Sequence, residues 1–113
     1  MSAAADRRAA GAGARLVAAG EGRARVEGAM DFDTVSPLLA AGVALLKRGG
    51  SLVIDLGGVT SANSAGLALL LEWLDLARSR QVALSYLNLP DSLARIAELS
   101  NLQSLLPIAV DGL

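Results

Sequence analysis

Residues 51–77, SLVIDLGGVTSANSAGLALLLEWLDLA, set a short polar stretch, Ser61-Ala62-Asn63-Ser64, between two strongly apolar segments. The first, SLVIDLG (51–57), is a near-continuous apolar run with β-branched residues, the pattern of a central strand buried on both faces of a sheet. From Ala65 to Arg80 the residues are mostly good helix formers. VALSYLNL (82–89) then returns to strand character after a short turn. Strand, helix and strand in this order predict a crossover unit joining two parallel strands.

Upstream, RLVAAG (15–20) and RARVEGAM (23–30) flank Gly20-Glu21-Gly22, the spacing and turn chemistry of a hairpin. Ser36-Pro37 reads as an N-cap followed by proline at the first helical position, with LLAAGVALL (38–46) as the apolar face. Lys47-Arg48-Gly49-Gly50 supplies cations and glycine to close that helix. Downstream, Pro90-Asp91-Ser92 opens a helix through LARIAELS (93–100), and NLQSLLPIAV (101–110) fits either a short helix or a strand. The predicted architecture is α/β, a small mixed β-sheet with helices packed mainly on one face. Residues 1–13 are expected to be a frayed tail and residues 14–113 a single domain.

Composition narrows the function. More than half of the 113 residues are apolar, but the aromatics are one Trp, one Tyr and one Phe, so the core must be built from Leu, Val, Ile and Ala. A chain of this length buries roughly two-thirds of the surface it exposes when unfolded. The formal net charge of -1 lacks the basic field of a nucleic-acid binder, so no nucleic-acid partner is expected. Without Cys or His there is no disulfide, thiolate nucleophile, Cys/His zinc site or Ser-His triad, and neither a metal nor a cofactor is expected. No uncharged apolar run approaches the roughly 18 residues that span a bilayer. MSAAADRRAAGAGA carries two arginines without the apolar segment of a signal peptide, so a soluble, cytoplasmic chain without direct membrane insertion is expected.

A polar junction that leaves a central strand and opens a helix is where open α/β sheets usually place working residues. Phosphate binding is disfavoured there, because GxxxxGK[ST] and GxGxxG are absent and no Lys or Arg occurs between Arg48 and Arg78. Asp31 and Asp33 suit a turn and helix entry, and Asp55 the strand, rather than paired-carboxylate hydrolysis, so no enzyme is expected. Two readings of the junction stay open: Asn63 or Ser64 only caps the helix, or the junction also meets a partner. At the helical period, Gly66, Leu67, Leu70, Trp73, Leu74 and Ala77 form a stripe assigned to the sheet. Ser64, Ala65, Ala68, Glu72, Asp75 and Ser79 lie opposite, flanked by Leu69, Leu71 and Leu76. Those leucines are either core shoulder or part of a partner face on which small residues allow close approach.

The element order together with SLVIDLGGVTSANSAGLALLLEWLDLA resembles the STAS domain, over about Arg15 to Leu106. In that family the strand, a D[ST]xG loop and the following helix are the signature. Here the pattern stands as Asn63-Ser64-Ala65-Gly66, so Ser64 holds the position phosphorylated in anti-sigma-factor antagonists, and Asn63 departs from the usual Asp. GLALLLEWLDLAR (66–78) and LPDSLARIAELSNLQSLLP (89–107) look most like the small subunit of the Mla phospholipid-transport ABC transporter. The resemblance implies a non-enzymatic subunit that docks on the transporter's cytoplasmic ATPase, and through it on the membrane permease. It would support assembly and activity in phospholipid trafficking and outer-membrane lipid asymmetry. Asn63, Ser64, Ala65, Ala68, Leu69, Glu72 and Leu76 would form the contact, and a weak homodimer through the same face is also implied. The rival implied by the same family is an anti-sigma-factor antagonist switched by phosphorylation of Ser64.

Overall fold

The computed structural model describes residues 13–109; the expected N-terminal tail therefore falls almost wholly outside the described residues. The chain runs β1 (Ala14–Ala18), β2 (Arg23–Met30), α1 (Val35–Leu46), β3 (Ser51–Ala62), α2 (Ser64–Ser79), β4 (Ala83–Leu87), α3 (Asp91–Leu99) and a 3-10 turn, Gln103–Leu105. The strands lie in the order β1-β2-β3-β4. β1 and β2 form the expected antiparallel hairpin, and β2–β3 and β3–β4 pair in parallel, so the sheet is mixed. The unassigned C-terminal segment supplies both the 3-10 turn and a single parallel bridge from Ile108 to Tyr86, beside β4.

The core lies on one side of the sheet. Val26 and Met30 of β2, Ile54 and Leu56 of β3 and Tyr86 of β4 pack with Leu38 and Leu46 of α1, Leu70 and Trp73 of α2 and Leu93 of α3. Along β3, Leu52, Ile54 and Leu56 are buried, whereas Val53 and Asp55 between them are half-buried. The expectation of a strand buried on both faces is thus corrected: the helices cover one face only, and strict alternation follows from the pleat. On the open face, Glu27 pairs with Arg15 at 3.1 Å and with Arg25 at 3.5 Å.

Two side chains fix the helices on the sheet. Trp73 is fully buried beneath α1, and a Cβ at Gly42 would run into the Trp73 indole, so only glycine lets the two helices approach this closely. Tyr86, also fully buried, donates its hydroxyl to the Leu70 carbonyl at 2.6 Å, tying α2 to β4. Burial pushes its phenol well above the ordinary tyrosine range, which keeps it a neutral donor.

The start of α1 differs from the Ser36-Pro37 expectation. Thr34 is the capping residue and the helix opens at Val35, so Pro37 is the third helical residue, still within the turn whose N–H groups have no helical acceptor. Thr34 Oγ1 makes no bond to that turn; it accepts from Asp31 N at 2.9 Å and donates back to the Ala29 carbonyl at 2.9 Å. Asp31 Oδ1 accepts from Asp33 N at 2.9 Å, as its turn assignment requires.

Candidate partner-binding site

The polar junction is not a loop. β3 continues through Thr60, Ser61 and Ala62, pairing Ser61 with Ala29 and Ala62 with Met30, and α2 begins two residues later. Asn63 alone separates the two elements. Its backbone is extended (φ -124°, ψ -166°), its N–H donates to the Met30 carbonyl at 3.1 Å, and its Oδ1 accepts from Ala65 N at 2.9 Å. One residue thus terminates the ladder and caps the helix, which is the capping reading of the sequence.

Gly66, the last residue of the signature tetrapeptide, sits where an added Cβ would lie 3.1 Å from Met30 Cβ and 3.3 Å from Leu93 Cδ2. A small residue here lets the first turn of α2 press onto β2 and α3. Ser64 stands beside it, exposed, at the first helical position.

The expected contact residues do not all lie outside. Ser64, Ala68 and Glu72 are exposed, and Asn63 and Leu76 are half-buried. Leu69 is only 4% exposed and Ala65 7%, so both belong to the inner side of the helix and not to an exposed flank. A single helical stripe supposes packing against a sheet alone. In the structure α2 also packs against α1 and α3, which widens its buried arc beyond one stripe. The other flanking leucines, Leu71 and Leu76, are both half-buried and pack on the core, as the core-shoulder reading has it.

Between α1 and α2 lies an open groove of about 320 Å3. Ala65 and Leu69 lie toward its floor, Val35, Ser36 and Leu39 form the α1 wall, and Ala68 and Glu72 the α2 wall, with Phe32 at its edge. Phe32 and the α1 residues did not enter the expected site. The signal for Phe32 was present: the chain's single phenylalanine is bracketed by two acids, Asp31-Phe32-Asp33, just before a helix.

Other candidate chemistry is accounted for locally. Asp55 Oδ1 accepts from Gly57 N at 2.8 Å and from Asn88 Nδ2 at 3.0 Å, binding the middle of β3 to the residue after β4. Among the described residues no group of three or more His, Cys, Asp or Glu is placed to hold a metal ion, and no helix is long and apolar enough to cross a membrane.

A mixed four-stranded sheet with three helices, its third strand running directly into a capped helix, defines a STAS domain. The family model for the MlaB STAS domain matches residues 19–107, and the chain belongs to that family. A chain of the Acinetobacter MlaFEDB complex in an ATP-bound conformation is 28% identical, with a TM-score of 0.66, over 79% of this chain and 95% of that one. An anti-sigma-factor antagonist from Mycobacterium paratuberculosis is similar at 22% identity and TM-score 0.65, over 84% of this chain and 82% of that one. The phosphorylated form of the Bacillus cell-fate determinant SpoIIAA is similar at 15% identity and TM-score 0.62, over 87% and 92%. The last two likenesses are likenesses of fold. No curated protein matches the chain.

Proposed function

We propose that residues 14–113 form one STAS domain that serves as a non-catalytic subunit, docking on the cytoplasmic ATPase of an Mla-type ABC transporter and supporting its assembly and activity in phospholipid trafficking. The observation that carries this reading is the likeness to a chain of the MlaFEDB complex, which is covered almost end to end at 28% identity. The site is compatible with docking: Ser64, Ala68 and Glu72 present a helix surface of two small side chains and one acid. The transporter's permease is then an indirect partner, and the chain sits at the inner membrane only through the ATPase.

A second reading is favoured by one feature. Ser64 is exposed at a helix start, the place where a phosphate gains from the helix dipole, and the phosphorylated SpoIIAA structure shares the fold. Phosphate adds about -1.5 to -2 charge, and an unpaired charge closed inside an interface costs more than that gain. On this reading Ser64 is the switch of an anti-sigma-factor antagonist.

A pull-down with the tagged chain, followed by mass spectrometry, separates the two. Recovery of an ABC ATPase by the native chain, lost in Ser64→Glu while the melting temperature holds, is the expected result. Recovery of a small kinase with phosphate on Ser64 would reverse the assignment.

A further inference from the structure

Phe32 is 73% exposed, whereas Trp73 and Tyr86, the other two aromatics, are fully buried. It is not loose. The turn that carries it is closed by Asp33 N on Asp31 Oδ1, by Asp31 N on Thr34 Oγ1, and by Val35 N on the Asp31 carbonyl at 3.1 Å. This turn holds an aromatic ring at the edge of an apolar groove, where an aromatic side chain offers up to about 150–250 Å2 to a partner.

The charge along the segments that line the groove has one sign. In residues 31–46, the turn before α1 and α1 itself, and in 64–77, all of α2 but its last two residues, the charged residues are Asp31, Asp33, Glu72 and Asp75. The one cation of these elements, Arg78, stands in the last turn of α2, beyond the residues that line the groove. Asp75 has Arg78 at 4.0 Å, both of them exposed, and no cation pairs with Asp33 or Glu72 among the described residues. Glu72 lines the groove itself. An apolar trough with an acidic rim selects against acidic partners and favours an apolar anchor flanked by cations.

We propose that this groove receives a short amphipathic segment of the ATPase, with an apolar side chain seated against Phe32, Leu39 and Leu69 and Lys or Arg meeting Glu72 and Asp33. The inference rests on the transporter reading and adds the α1 wall, the aromatic and the chemistry of the ligand to it. Complementary rim charges act mainly on association rate and salt dependence, while the buried anchor sets dissociation.

The test is a titration of the full chain against the purified ATPase of its own transporter, at about 0.05 M and 0.5 M NaCl, where screening lengths differ several-fold. Native binding should weaken at least tenfold at the higher salt. Glu72→Lys and Phe32→Ser should each weaken binding at least tenfold at low salt with an unchanged melting temperature, since both side chains are exposed. Both variants binding like the native chain while Ser64→Glu fails would overturn the groove proposal and leave the transporter reading standing. No binding by the native chain overturns both. Concentration-dependent dimerisation in sedimentation, abolished by Phe32→Ser, with ATPase affinity untouched, would assign the groove to a second copy instead.

Discussion

The two parallel neighbours β2 and β3 each hand the chain to a helix, and they do so in opposite ways. After β2, four residues intervene before α1, and the turn is closed by side chains: Thr34 and Asp31 bond to the backbone around them and leave Phe32 outside. After β3, Asn63 alone intervenes, bonding to β2 behind it and to the helix ahead. The first junction spends its polar atoms on holding a shape, and the second on ending one element and starting the next. Both feed helices that wall the same groove. The difference teaches that most of a junction's polar atoms are taken up by the fold itself; the side chains left without a bond that the fold requires include those of Phe32, Ser64, Ala68 and Glu72, and these are the ones the proposed docking would use.

Four substitutions would break or sharpen this contrast. The largest effect is expected from Leu69→Asp, which places an unpaired charge in the core between α1 and α2 and should cost roughly 3–5 kcal/mol in urea unfolding. A cost near zero would mean that Leu69 lies outside after all. Thr34→Ala removes a buried hydroxyl that one N–H donates to and that itself donates to a carbonyl; a loss of about 1–3 kcal/mol is expected in the same assay. Asn63→Ala deletes one helix cap and should cost about 1 kcal/mol, less than Thr34→Ala. If the order of these two is reversed, the two junctions have been given the wrong roles. Phe32→Ser should change stability by no more than about 0.5 kcal/mol, and its effect belongs to binding alone.

Much of this was legible in the sequence, and the failures have physical causes. The hairpin, the crossover and the order of the elements through α3 follow from apolar periodicity and from turn residues such as Gly20-Glu21-Gly22 and Pro90-Asp91. The far end of β3 was hidden because Gly57, Gly58, Ser61 and Asn63 suit a loop by composition; only pairing with the irregular end of β2 keeps that segment extended. Spacing to Pro37 favours Ser36 as the cap of α1, since nothing local distinguishes it from Thr34, whose hydroxyl turns back toward β2. The inward setting of Ala65 and Leu69 was missed because a helical wheel assumes one packing partner and α2 has three. A cap at Asn63 or Ser64 was legible because capping is chemistry that adjacent residues display, and the structure gives it to Asn63; the close approach of Gly66 to Met30 and Leu93 depends on distant residues and was not.

The central claim, that the chain meets its partner through the α1–α2 side and not through the open sheet, is tested most directly by photo-crosslinking in the native cell. A photoreactive side chain would replace Ala68 on α2 in one strain and Val17 on the open face of β1 in another, both exposed positions. The account predicts a crosslink from position 68 to the transporter ATPase and none from position 17. A crosslink to the ATPase from position 17 with none from position 68 would contradict it.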